Sequence, residues 1–236
     1  MIRRKAALLF FVLLHSLMSA QNVNDAGMWN AFSFSADFKD LTPWKDPKIF
    51  KDFRLYVNPE IRFDENLSRL NNFFSDLGTE KKWSKFLSTS VEYRIGGRRE
   101  EDWYNLRRRW SYGLQLSLPV KDFKISATTR CQVAKSASSD IDLTSTWRQK
   151  LAVEYSNWDN LSIQLSHELF FEPITLENTN WRSQFIVKYK LDKSNALSFG
   201  YLVQRDLTDA NMDFVILTGY KWEFNKKKEK STPAVQ

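Results

Sequence analysis

Residues 211–224, NMDFVILTGYKWEF, decide the fold of this chain. Phe214, Ile216, Thr218, Tyr220, Trp222 and Phe224 share one parity, and Val215, Leu217, Gly219, Lys221 and Glu223 the other. Successive side chains of a strand point to opposite faces, so an apolar stripe is backed by a mixed face that turns polar toward the end. The stripe closes on three aromatics, which suits a ring at the level where lipid meets water. An ordinary half-buried sheet strand carries a similar stripe. The rest of the chain has to break the tie.

It does so by repeating the pattern. Residues 29–39 set Phe32, Phe34 and Phe38 against Ser33, Ser35 and Asp37, and residues 53–63 set Leu55, Val57 and Ile61 against Arg54, Glu60 and Arg62. Pro59 within that second run points to a bulge or strand end nearby. Further runs start at Leu87, Tyr104, Phe123, Trp147, Leu161, Trp181 and Leu197, and Gly96-Gly97 reads as the break after the first of these. Arg108 falls on an apolar parity, tolerable near a membrane rim where a long cation reaches water. Residues 66–83 are ambiguous: Leu67, Leu70, Phe74 and Leu77 fit a short amphipathic helix, while Phe73, Leu77 and Trp83 fit a weak strand.

The connections near Pro119, Asn157 and Asp192 read as tight, and those at Gly96, Ser136, Pro173 and Arg205 as longer. Short turns at one end and longer loops at the other are the connectivity of outer-membrane barrels, and a β-sandwich has no reason to keep that rhythm. The expected fold is therefore all-β: an antiparallel transmembrane β-barrel of about 10–12 strands. Ten strands close with both chain ends on one side. A strand within 66–83 makes the count odd and demands a twelfth element.

The bulk numbers agree with one barrel of 236 residues, 15% of them aromatic, at net charge +7. A mean hydropathy of −0.48 looks like that of a soluble chain, but a barrel wall hides from that test because it needs apolar residues only at alternate positions. Residues 1–20 read as a cleaved signal peptide, with Arg3, Arg4 and Lys5 ahead of an apolar run and Met18-Ser19-Ala20 at its end. Residues 21–28 are then a lead, 29–224 the barrel, and 225–236 a basic disordered tail. The single cysteine, Cys131, excludes an intrachain disulfide and reads as a small wall residue.

The polar parity carries more charge than a water-facing sheet needs. Arg62, Glu92, Arg94, Arg109, Arg130, Arg148, Glu154, Glu168 and Arg182 all point into the expected lumen. Buried charge has to be paired and hydrogen-bonded, and a guanidinium meets a carboxylate with two bonds, so these nine form a charge network that fills the lumen. The alternative reading is a small anion-selective pore.

Glu60-Ile61-Arg62, Glu92-Tyr93-Arg94, the Arg107–Arg109 run, Arg130, Trp147-Arg148, Glu168, Trp181-Arg182 and the final 220–224 recur strand by strand. In them the chain resembles the outer-membrane barrels of Gram-negative bacteria grouped as domain of unknown function 2490. The resemblance implies placement in the outer membrane and no catalytic activity, since that family has none established. The closing aromatics also resemble a barrel-assembly signal, which makes the assembly machinery a partner through Tyr220, Trp222 and Phe224. Outer-membrane lipid and lipopolysaccharide are the expected anionic partners, and the barrel is expected to be a monomer.

Other chemistry is poorly supplied. No metal or cofactor site is expected, because His, Cys and acidic residues nowhere cluster at ligand spacing, and phosphate loops and nucleophile elbows are absent. Basic charge threaded through strands matches no nucleic-acid module, so nucleic acid is excluded as a partner. His167 is the residue to weigh. It shares the lipid-facing parity with Leu165 and Leu169, the side on which outer-membrane phospholipases carry a catalytic His. Leu169 stands where those enzymes have Ser, and Ser166 faces the other way. Pairing of Leu169 with Ser183 would leave Ser183 on a diagonal about 7 Å from His167, too far for a nucleophile and its base. The expectation is a barrel without enzymatic activity.

Overall fold

The computed structural model describes residues 26–41, 52–101, 103–136, 143–207 and 212–224. The signal segment 1–20, the tail 225–236 and the proline-marked break at Pro43 and Pro47 lie outside the described residues. Eleven strands close into a barrel: β1 Ala26–Asp37, β2 Phe53–Asp64, β3 Arg69–Lys82, β4 Leu87–Glu100, β5 Trp103–Val120, β6 Phe123–Ser136, β7 Leu143–Tyr155, β8 Leu161–Phe171, β9 Asn178–Lys190, β10 Asn195–Asp206 and β11 Met212–Phe224. A single helical turn, α1 Phe38–Leu41, follows β1.

The wall is inside out relative to a water-soluble domain. Among the described residues ten polar or charged ones are buried, including Asp76, Glu92 and Glu168, against five apolar ones. Leu114, Leu116, Leu118, Leu151, Leu165 and Phe199 are exposed on the outside. A sandwich would bury the apolar parity between two sheets. Here the apolar parity faces outward along strands of 11 to 18 residues, enough to meet the 9–11 or so that a bilayer requires, so the barrel is transmembrane. Aromatics gather at both rims. Phe34, Trp222 and Phe224 meet edge to face at one, and Phe73 and Tyr104 at the other.

Residues 66–83 resolve as a strand: 65–68 form a turn and β3 follows. Phe73 and Leu77 point outward, whereas Phe74 is buried on the inner face. The helical spacing was a coincidence of Phe74 belonging to the lumen. β4 likewise runs through Gly96 and Gly97 to Glu100 and β5 starts at Trp103, so the break expected at Gly96-Gly97 is strand and the connection is short. Gly96 lies opposite Phe74, where a Cβ would collide with the Phe73 carbonyl and with Phe74 itself. The glycine marks a close approach, not a turn. With that connection short, tight turns occur at both rims, and the expected division of short and long connections is not kept. In β2 a register shift at Arg62/Phe63 supplies the bulge expected near Pro59. Arg108 sits opposite Lys135, one residue from the end of β6 and close to the rim. Between β9 and β10, Asp192 accepts bonds from the amides of Ser194 (2.6 Å) and Asn195 (2.8 Å), which hold its carboxyl below the usual range.

No twelfth strand is needed among the described residues. β1 starts at Ala26, three residues before the expected Trp29, and pairs parallel with β11 from Ala26↔Phe214 to Ala36↔Phe224. Consecutive antiparallel neighbours in odd number leave the first and last strands running the same way, so closure has to be parallel. This departs from the even count of bacterial single-chain barrels. It also puts the start of β1 and the end of β11 at opposite rims, which corrects the expectation that both ends share one side. A parallel pair is slightly weaker per residue than an antiparallel one. Side chains stitch this seam on both faces. Outside, Thr218 Oγ1 donates to Asn30 Oδ1 at 2.5 Å. Inside, Arg54 joins Asp37 of β1 (3.2 Å) to Glu223 of β11 (2.9 Å).

Candidate functional site: the charged lumen

Strand parity aims the nine charged residues read from the sequence into the lumen, where they separate into clusters. Asp76 and Arg94 are direct cross-strand partners of β3 and β4, and the guanidinium grips the carboxylate through Nε (2.5 Å) and Nη2 (2.6 Å). Glu168 accepts two bonds from Arg148 (2.9 and 2.7 Å) and lies 3.6 Å from Arg182. Arg62 bonds Glu60 at 2.5 Å. Glu92 accepts from Arg130 and from the Tyr56 hydroxyl, both at 3.3 Å, with Arg109 3.8 Å away. Tyr56 reaches it by lying flat over Gly78, where any Cβ would overlap the ring. Glu154 stands apart: it pairs with Lys188 (2.9 Å) and Ser162 (3.1 Å) in a separate chamber.

The cations are also layered with aromatic rings. Arg94 lies 3.4 Å from the centroid of Phe74, and Arg62 lies 4.8 Å from Phe74 and 3.7 Å from Trp29. Arg182 lies 5.0 Å from both Trp29 and Phe170, and Arg148 lies 4.8 Å from Phe170. The order is Arg94, Phe74, Arg62, Trp29, Arg182, Phe170, Arg148. This ladder passes across the β1–β11 seam through Trp29. Guanidinium suits it because the planar face stacks on a ring while the edge donates to a carboxylate.

Sequence reading missed Asp76, Trp29, Phe74 and Phe170. Each carried a signal in its parity: Phe170 alternates with Glu168, Trp29 with Ala31 and Ser33, and Phe74 with Asp76. An aromatic on the polar side of a barrel strand is the mark of a lumen ring.

The charges do not balance. Arg62, Arg94, Arg109, Arg130, Arg148 and Arg182 line one cavity, and Glu60 is the carboxylate that lines it with them. Adding Asp76, Glu92 and Glu168, which bond these arginines from just outside it, still leaves two positive charges in excess. Lys150, bonded to Gln184 rather than to an acid, adds a third. Nε and Nη2 of Arg109 are buried without a hydrogen-bond partner. Arg130 and Arg148 also border the neighbouring chamber, so their side chains stand between the two.

On the outer face, His167 pairs directly with Ser183, not diagonally, because β8 and β9 set Leu169 opposite Trp181. His167 Nδ1 and Ser183 Oγ are 2.9 Å apart, and Trp181 stacks on the imidazole at 6.0 Å. This corrects the expected register and brings the two side chains into hydrogen-bond contact. Among the described residues no group of three or more His, Cys, Asp or Glu could hold a metal ion.

A family model described as "Protein of unknown function (DUF2490)" matches residues 26–215. No curated protein matches the chain. Among solved structures, an anion-selective porin from Comamonas acidovorans is similar at 10% identity and a TM-score of 0.35, over 71% of this chain and 55% of the porin. The chain thus spans little more than half of that porin's length.

Proposed function

From the premise that the chain belongs to the family described as Protein of unknown function (DUF2490), we propose that it is an outer-membrane barrel with a closed, ligand-binding lumen. The observation that carries this reading is the ladder of four arginines and three aromatics across the lumen. Its members are held by carboxylates at one edge and by rings on their faces, which favours a fixed plug over a mobile lining. The excess of positive charge supports the second reading, an anion-selective pore. Planar-bilayer recording separates the two. Refolded wild-type protein should give no steady current, and persistent anion-selective conductance would replace the closed reading with the pore. The outer leaflet supplies the expected outer partner, lipopolysaccharide.

The barrel is not an enzyme in this proposal. His167 and Ser183 have the contact that a base and nucleophile require, yet hydrolysis of an ester also needs donors for the developing oxyanion. Around this pair the backbone N–H groups are engaged in the β7–β8–β9 ladders. In hydrocarbon, two polar side chains facing outward satisfy each other, and that accounts for the bond. Purified protein should therefore turn over neither phospholipid micelles nor peptides, with or without calcium. Turnover abolished by both His167→Ala and Ser183→Ala in folded barrels would make this pair an active site instead.

A further inference from the structure

We propose that the arginine cavity is a binding site for a divalent oxyanion, a phosphate or sulfate group, seated on Arg109; this rests on the ligand-binding reading of the lumen. Five of the six arginines in the cavity are already engaged: Arg62 with Glu60, Arg94 with Asp76, Arg130 with Glu92, Arg148 with Glu168, and Arg182 with Gln204. Arg109 is different. Its Nε and Nη2 are buried without a partner, and its nearest carboxylate oxygen, on Glu92, is 3.8 Å away. These two groups lie on one edge of the guanidinium and donate in parallel, the fork that grips two oxygens of one oxyanion. A buried, unbonded charged donor is costly unless something completes it.

The charge count points to the same class. Two positive charges remain among the six arginines after the four nearby carboxylates are counted, and Lys150 adds a third beside them, so a dianion offsets more of the excess than a monocarboxylate does. Trp29 and Phe170 also line this cavity, but their faces are taken by Arg62, Arg182 and Arg148, so recognition rests on the oxyanion itself, whether inorganic or carried by a small organic solute. Outer-leaflet lipid is a poor source, since its phosphates face the outside of the wall.

Binding to the refolded mature barrel in a nonionic detergent tests the proposal. Calorimetry would compare phosphate, sulfate, glycerol 3-phosphate and acetate at matched ionic strength. The expected result is saturable binding of one dianion per chain, with acetate at least about tenfold weaker, since it forfeits one charge-assisted contact. Preference for glycerol 3-phosphate over phosphate would identify an organic carrier, and equal affinity an inorganic one; both support the site. Arg109→Gln should weaken binding by about tenfold or more, while Arg107→Gln, on the same face of β5 and bonded to Glu100, should leave it unchanged. Without anion, Arg109→Gln should also unfold at a higher temperature than wild type, because it removes an unsatisfied buried charge. A residue with a merely structural role would shift the other way.

Absence of saturable binding, or equal affinity in wild type and Arg109→Gln, overturns the proposal. Where Arg109→Gln does not fold, Arg109→Lys replaces it: the charge stays but the fork is lost, and unchanged affinity again overturns the site. Bilayer recording on the same preparation keeps the two readings apart. Silence without dianion binding removes the site alone. Steady current with dianion binding removes the closed lumen and leaves the site standing.

Discussion

Replacing Glu168 by alanine is expected to cost the folded barrel about 3–5 kcal/mol, the usual penalty for removing one partner of a buried charge cluster. Glu168 is 6% exposed, and two arginines depend on it: Arg148 through two hydrogen bonds and Arg182 at 3.6 Å. Its loss leaves two guanidinium groups facing each other across Phe170 in a lumen already in positive excess. The penalty is larger than for a rim pair such as Arg107–Glu100, which water screens. Urea titration of the barrel in detergent, followed by heat-modifiable gel migration, measures the difference. The double variant Arg148→Met with Glu168→Met should recover part of the loss, since it leaves one arginine, Arg182, without the carboxylate instead of two. A Glu168→Ala barrel as stable as wild type would mean that the network contributes nothing to folding.

Much of this architecture was legible because a barrel wall has a period of two and a one-residue slip would turn the whole apolar set inward. Phe214 to Phe224, the Leu114–Leu116–Leu118 run and the inward direction of the arginines and glutamates all follow from parity alone. Three features were not legible, each for a physical reason. Residues 66–83 mixed two periods because Phe74 is a lumen ring on a strand whose outer face is carried by Phe73 and Leu77, and with that strand unread Asp76 went unseen. The parallel seam was invisible because strand neighbours are a property of closure, and nothing local to β1 or β11 records it. The His167–Ser183 contact depended on register, which β8 sets with an irregularity at Phe170/Phe171 that no hydrophobic pattern encodes. The lumen charges were readable as a set. Their pairing was not, since Arg130 reaches Glu92 across β5, while Arg94 takes Asp76 on the adjacent strand.

The ladder also sets what it takes to open the barrel. Trp29 and Phe170 are the two rings that flank Arg182, and Trp29 is where the ladder passes the β1–β11 seam. Substituting both, Trp29→Ser with Phe170→Ser, removes the faces on which Arg62, Arg148 and Arg182 rest. The wall itself is untouched, because both side chains point inward and the backbone ladders are unaffected. Stability should fall by less than the 3–5 kcal/mol or so typical of truncating a fully buried large aromatic, since neither ring is fully buried. The larger effect is on passage. Arg148 and Arg182 lose their rings altogether and Arg62 keeps only Phe74, so these cations can swing toward water, and the space left by an indole and a phenyl lies in the cavity lined by the six arginines. In planar bilayers, the double variant should give discrete current steps where wild type gives none. A salt gradient across the bilayer should yield a reversal potential of anion-selective sign, because the excess positive charge remains in place. Silence from a double variant that still migrates as a folded barrel would move the constriction elsewhere, toward the Arg130–Glu92 and Glu154–Lys188 contacts. Equal conductance in both proteins would mean that the rings never closed the lumen.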